Sequence, residues 1–73
     1  MTFNEHCATN GVELLKDDVT FIKRMLKTIH GSRHKAILTQ YVALWLTGMA
    51  EEQSSIKKQG VGRRMANSSL LKL

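Results

Sequence analysis

Proline is absent from this 73-residue chain, cysteine occurs once, and Phe3, Phe21, Tyr41 and Trp45 are its only aromatic side chains. The single thiol, Cys7, excludes an intrachain disulfide and suits a reducing compartment such as a bacterial cytoplasm. The longest near-apolar run, residues 41–50, includes Thr47 and Gly48 and reaches only half of the roughly 20 residues that a spanning helix requires. Residues 1–10 lack a basic start followed by an apolar stretch, so no secretory signal is expected there. The expectation is a cytoplasmic protein with no membrane contact. Acidic residues are missing altogether beyond Glu52.

The residues that are present favour helix. Leu, Lys, Met, Ala and Gln supply many positions, and none of them breaks a helix. The length permits one domain, 1–73. A chain this short buries only about 60% of the surface its unfolded form exposes. Without a disulfide, stability must come from tight packing, a partner or self-association. A homo-oligomer is therefore expected.

Asn10 followed three residues later by Glu13 matches a helix-start capping box, with Asp17 or Asp18 as the alternative cap. Apolar residues then recur at Val12, Leu15, Val19, Ile22, Leu26 and Ile29, the stripe of an amphipathic helix. Gly31 is its expected stop. Ser32 is the expected cap of a second helix, in which Ile37, Leu38, Tyr41, Val42, Leu44, Trp45, Leu46 and Met49 cover most of the circumference. A helix apolar nearly all round is buried between neighbours. Gly60 and Gly62 punctuate the chain beyond this helix, and Ala66, Leu70 and Leu73 then share one face. The resulting fold class is all-α: two long helices as an antiparallel hairpin plus a short C-terminal helix. Residues 1–9 are expected to be a flexible terminus and residues 57–63 a basic, glycine-containing connection.

Charge is unevenly distributed. Residues 1–32 balance four basic against four acidic side chains, whereas residues 53–73 hold Lys57, Lys58, Arg63, Arg64 and Lys72 with no acid, matching the formal net charge of +5. Such a segment suits phosphate contacts that give salt-sensitive affinity without reading sequence. Lys57, Lys58, Arg63, Arg64 and Asn67 are the candidate nucleic-acid-binding residues. The competing reading is a solvated basic face. A helix-turn-helix reader is disfavoured, because the second helix is too apolar to face base edges.

His6, Cys7, His30 and His34 lack the close paired spacing of zinc ligands, and neither a metal nor another cofactor is expected. No nucleophile stands with a base and an orienting group, so catalysis is not expected. Tyr41, Trp45 and Met49 are open to two readings. They form an aromatic anchor for a protein partner, or they fill the core of a domain with few large side chains.

The second half also carries a resemblance. Tyr41, Trp45, Glu51 and Glu52, together with the run Gly62, Arg63, Arg64, Met65, Ala66, Asn67, Ser68, Ser69, Leu70, Leu71, resemble a pattern in small proteins of enterobacterial phages and prophages encoded near replication functions. It covers residues 29–73. The resemblance implies a phage-derived accessory protein that binds DNA or a host or phage replication protein.

Overall fold

In the computed structural model, which describes residues 2–73, four α-helices follow one another: α1 (Phe3–Thr9), α2 (Lys16–Leu26), α3 (His34–Glu51) and α4 (Lys58–Leu70). A 3-10 turn at Gly31–Arg33 leads into α3, and no strand occurs among the described residues. The all-helical class holds, with four helices in place of the expected three.

The first of them occupies the stretch expected to be flexible. The Thr2 hydroxyl accepts from the Glu5 N–H at 3.1 Å, which starts α1, and Glu5 sits in the first turn where the helix dipole favours an acid. Phe3 meets the Tyr41 ring edge-on at 6.4 Å between centroids, and Cys7 is fully buried. Seven residues are too few for a stable helix in isolation, so these two apolar contacts hold α1 in place.

Asn10 and Gly11 close α1 instead of opening the next helix. The Asn10 side-chain amide donates to the His6 carbonyl at 2.8 Å, and Gly11 takes φ 79°, the one left-handed residue among those described. Residues 12–15 then lead to α2 without regular structure. There Asp18, three residues into the helix, accepts from the Leu15 N–H at 2.9 Å. Asp18 therefore belongs to the helix start, one turn later than a cap. Of the expected stripe, only Val19, Ile22 and Leu26 fall in α2, with Ile22 and Leu26 buried; Val12, Leu15 and Ile29 lie outside it, and Leu15 is 56% exposed.

Gly31 does not end α2, which stops at Leu26. The His34 ring Nε2 lies 3.1 Å from the Leu26 carbonyl and 2.8 Å from that of Ile29, and satisfies the helix end from the start of the next element. Ser32 likewise does not cap α3 through its hydroxyl; its backbone N–H donates to His30 Nδ1 at 3.2 Å.

The expected hairpin of the first two long helices is replaced by an antiparallel pairing of α3 with α4, and residues 57–63 are not a connection, since α4 begins at Lys58 and both Gly60 and Gly62 lie inside it. Gly62 is where the two helices touch most closely. A β-carbon there would stand 2.5 Å from the Trp45 carbonyl oxygen and 2.6 Å from the Trp45 ring. A β-carbon on Gly48 would stand 2.8 Å from the Gly62 Cα. Ala66 and Leu70 continue the contact towards Tyr41 and Ile37, and the core gathers around Tyr41, Val42 and Trp45. No helix among the described residues is long and apolar enough to cross a membrane.

Candidate nucleic-acid interface

Helix α4 has two chemically different faces. One presents Gln59, Arg63 and Asn67, spaced four apart and therefore in line along the axis. Gln59 Oε1 accepts from the Trp45 indole N–H at 2.9 Å and from the Glu13 N–H at 3.0 Å, while its amide donates to the Gly11 carbonyl at 2.8 Å. Arg63 Nε donates to Asp18 Oδ2 at 2.8 Å, its terminal nitrogen donates to the Glu13 carbonyl at 3.0 Å, and its guanidinium lies 5.0 Å from the Trp45 ring centroid. Asn67 donates to Asp18 Oδ1 at 3.2 Å and accepts from the Tyr41 hydroxyl at 2.6 Å.

This seam ties α4 to the connecting stretch 11–15 and to the first turn of α2. Asp18 is only 4% exposed, and burial pushes its pKa upward. The bonds from Arg63, Leu15 and Asn67, with the Arg63 charge, overcome that push and hold the carboxyl below its ordinary 3.8. Tyr41 moves upward, chiefly through burial and then through the nearby Asp18 and Cys7, with Arg63 opposing. Every buried side-chain nitrogen or oxygen among the described residues has a partner.

The seam corrects two expectations about site residues. Arg63 and Asn67, expected among the nucleic-acid contacts, have their polar groups engaged inside the molecule. Tyr41 and Trp45, expected at a protein interface, are both fully buried and each makes a hydrogen bond to α4, while Met49 is half-buried against the same core. Of the two readings open for these residues, the core-filling one is what the fold uses. The missed members are Gln59 and Asp18. Gln59 had a signal, since Gln59, Arg63 and Asn67 run parallel to the buried row Gly62, Ala66, Leu70. Asp18 had none, because its partners lie 45 and 49 residues away.

A neighbouring row of α4, about 100° round the axis, is exposed. Lys57 adjoins its start, Gly60, Arg64 and Ser68 follow at intervals of four along it, and Lys72 lies just beyond its end. Arg64 and Lys72 border one open hollow with Ser68, Leu44 and Met65. Lys58 is half-buried beside Lys57. Because the only ion pair among the described residues uses Arg63 and Asp18, ten of the eleven Lys and Arg side chains carry charge with no carboxylate at pairing distance.

The remaining reactive side chains are occupied or inert. Cys7 borders an open hollow with Asn4, Val12 and Val19, and burial lifts its thiol from 9.0 to about 11, so it is uncharged at neutral pH. His30 and His34 serve the turn between α2 and α3. No protein family, no curated protein and no solved structure matches the chain in sequence or fold.

Proposed function

We propose that this protein is a non-enzymatic nucleic-acid-binding module of phage or prophage origin, and that it contacts phosphates through the outer face of α4. The observation that carries this reading is the division of labour between neighbours. Arg63 turns inward to Asp18, and Arg64 is exposed on a helix that has no acidic residue, with Lys57 and Lys72 just outside its two ends. A face of one sign, on a chain of formal net charge +5, attracts a polyanion and orients it. Lys57, Lys58, Arg64 and Lys72 are the residues that neutralise phosphates. The resemblance of residues 29–73 to phage proteins encoded near replication functions supports a role beside replication, in the cytoplasm of the host.

A salt-series titration with labelled DNA tests it. Affinity falls linearly with salt on logarithmic axes, and each neutralised phosphate contributes about 0.9 to the slope. Replacing Lys57, Lys58, Arg64 or Lys72 by Gln lowers the magnitude of that slope by about 0.9 apiece. Absence of binding to DNA and RNA at low salt removes the proposal.

A second reading, a homodimeric adaptor acting on a host or phage protein, is favoured by Leu71 and Leu73. They stand 68% and 52% exposed at the end of α4, and Leu73 borders a hollow with Ile37 and Leu70. Sedimentation that depends on protein concentration supports it; a monomer at all concentrations does not.

A further inference from the structure

Charge is missing from α3 where solvent meets it. Residues 36–50 include no Asp, Glu, Lys, Arg or His, yet Ala36, Gln40, Ala43 and Thr47 are exposed. A helix apolar nearly all round calls for cover on most sides, and α3 packs chiefly on α4 alone. Exposed positions are where charged side chains ordinarily collect, whereas the core of a protein interface is depleted of them.

Beside that flank, two open hollows meet along the crease between α3 and α4. One is bounded by Arg33, Ile37, Leu70 and Leu73, the other by Leu44, Arg64, Met65 and Lys72, and Ser69 borders both. The crease lies on the side of the helix contact away from the Asp18 seam. Met65 and Ser69 precede the buried Ala66 and Leu70 by one residue, whereas Arg63 and Asn67 follow Gly62 and Ala66 by one. Its floor is apolar: Ile37, Leu44 and Met65 are half-buried, and Leu73 is 52% exposed. Its rim is cationic, with Arg33 on the first hollow and Arg64 and Lys72 on the second. No Asp or Glu lines either hollow, and none occurs in residues 19–50 or 53–73.

We propose that this crease docks an acidic amphipathic helix of a partner protein, which gives the adaptor reading above its partner's chemistry and needs no dimer. The apolar floor selects apolar side chains, and a nucleic acid would leave it uncovered. The cationic rim selects carboxylates around those side chains. A second copy of this chain, docked through the same patch, brings one basic rim against another. Shape selects a helix. Ile37 and Leu44 lie two turns or about 10 Å apart, the span of anchors at i and i+7 on a helix laid in a groove. The described residues form no sheet edge to which a strand could add.

The experiment follows the anisotropy of a labelled synthetic helix, with Leu at i, i+3, i+4 and i+7 and Glu around them, as the full chain is added at low salt. A second helix carries Lys for every Glu, and a third carries Ala for every Leu. Arg33→Glu and Leu73→Ser, both at exposed positions, are measured beside the parent, with a thermal melt, a DNA titration and sedimentation of each protein. The expected result is that the Glu–Leu helix binds about tenfold or more tighter than either control. Each variant weakens it about fivefold or more without lowering the melting temperature. No binding of the Glu–Leu helix, equal affinity for the Glu and Lys helices, or full affinity of both folded variants overturns the proposal. Self-association that Leu73→Ser abolishes gives the crease to a second copy, which overturns the proposal and leaves the dimer in place. DNA affinity that falls with Leu73→Ser gives the crease to nucleic acid and overturns it equally.

Discussion

Asp18 accepts hydrogen bonds from Leu15, Arg63 and Asn67, and so joins the start of α2 to the middle of α4. Asp18→Ala leaves a guanidinium with no carboxylate and an amide with one partner fewer. Urea unfolding should register a loss of about 2–3 kcal/mol. The carboxyl's folded-state pKa lies below the ordinary 3.8, so its charged form contributes stability across the range above 3.8. That contribution is lost as pH falls through the lower folded value. Urea midpoints followed into acid should therefore drop in the parent and drop less steeply in Asp18→Ala. Cys7 has the opposite sign. Burial raises its thiol from 9.0 to about 11, so the stability it contributes is complete below 9.0 and lost as pH rises through about 11. Cys7→Ala should show a shallower alkaline decline in the same measurement.

At the scale of elements, α3 and α4 are held together by the absence of side chains at Gly48 and Gly62 as much as by the presence of Trp45. Gly62→Ala gains helix propensity of about 1 kcal/mol, yet its methyl group meets the Trp45 backbone and ring, and separating the helices costs about 1–3 kcal/mol. A net loss is expected. Gly60→Ala, two residues earlier and in open space, should instead raise stability by about 0.5–1 kcal/mol. Chemical denaturation of the two variants side by side checks both signs. The sequence pattern made part of this arrangement legible. The inward stripe of α2 followed from the spacing of Val19, Ile22 and Leu26, and the burial of Tyr41, Val42 and Trp45 followed from the apolar circumference of α3. The boundaries did not follow, because several are set by distant groups. His34 finishes α2 from eight residues beyond Leu26, and Asn10 and Gly11, which serve a helix end as well as a start, close α1. The start of α1 has its signal in Thr2 and Glu5, spaced as a capping pair, within the stretch expected to be flexible. On α4, a glycine pair suggested a connection, because glycine marks both loops and close helix contacts.

For the whole molecule, the consequence is a separation of duties around one helix. The run 62–71 owes Arg63, Ala66, Asn67 and Leu70 to the fold, whereas Arg64 and Leu71 are exposed. A composition-level reading counts Arg63 and Arg64 as equals, since both are basic and adjacent; their surroundings distinguish them, because Arg63 meets Asp18, the Glu13 carbonyl and the Trp45 ring. The resulting charge distribution leaves the basic side chains of α4 other than Arg63 outside the single ion pair among the described residues, which is the footing of the proposed phosphate contact. Arg63→Ala and Arg64→Ala change the net charge equally, so any long-range electrostatic effect is common to both. The most direct test measures unfolding free energy and DNA affinity for these two variants in one buffer. The expected result is that Arg63→Ala loses about 1–3 kcal/mol of stability while its folded fraction binds DNA like the parent. Arg64→Ala should stay within about 0.5 kcal/mol of the parent and bind DNA markedly less. The reverse pattern, with Arg64 needed for stability and Arg63 for binding, would contradict the division between the two faces of α4.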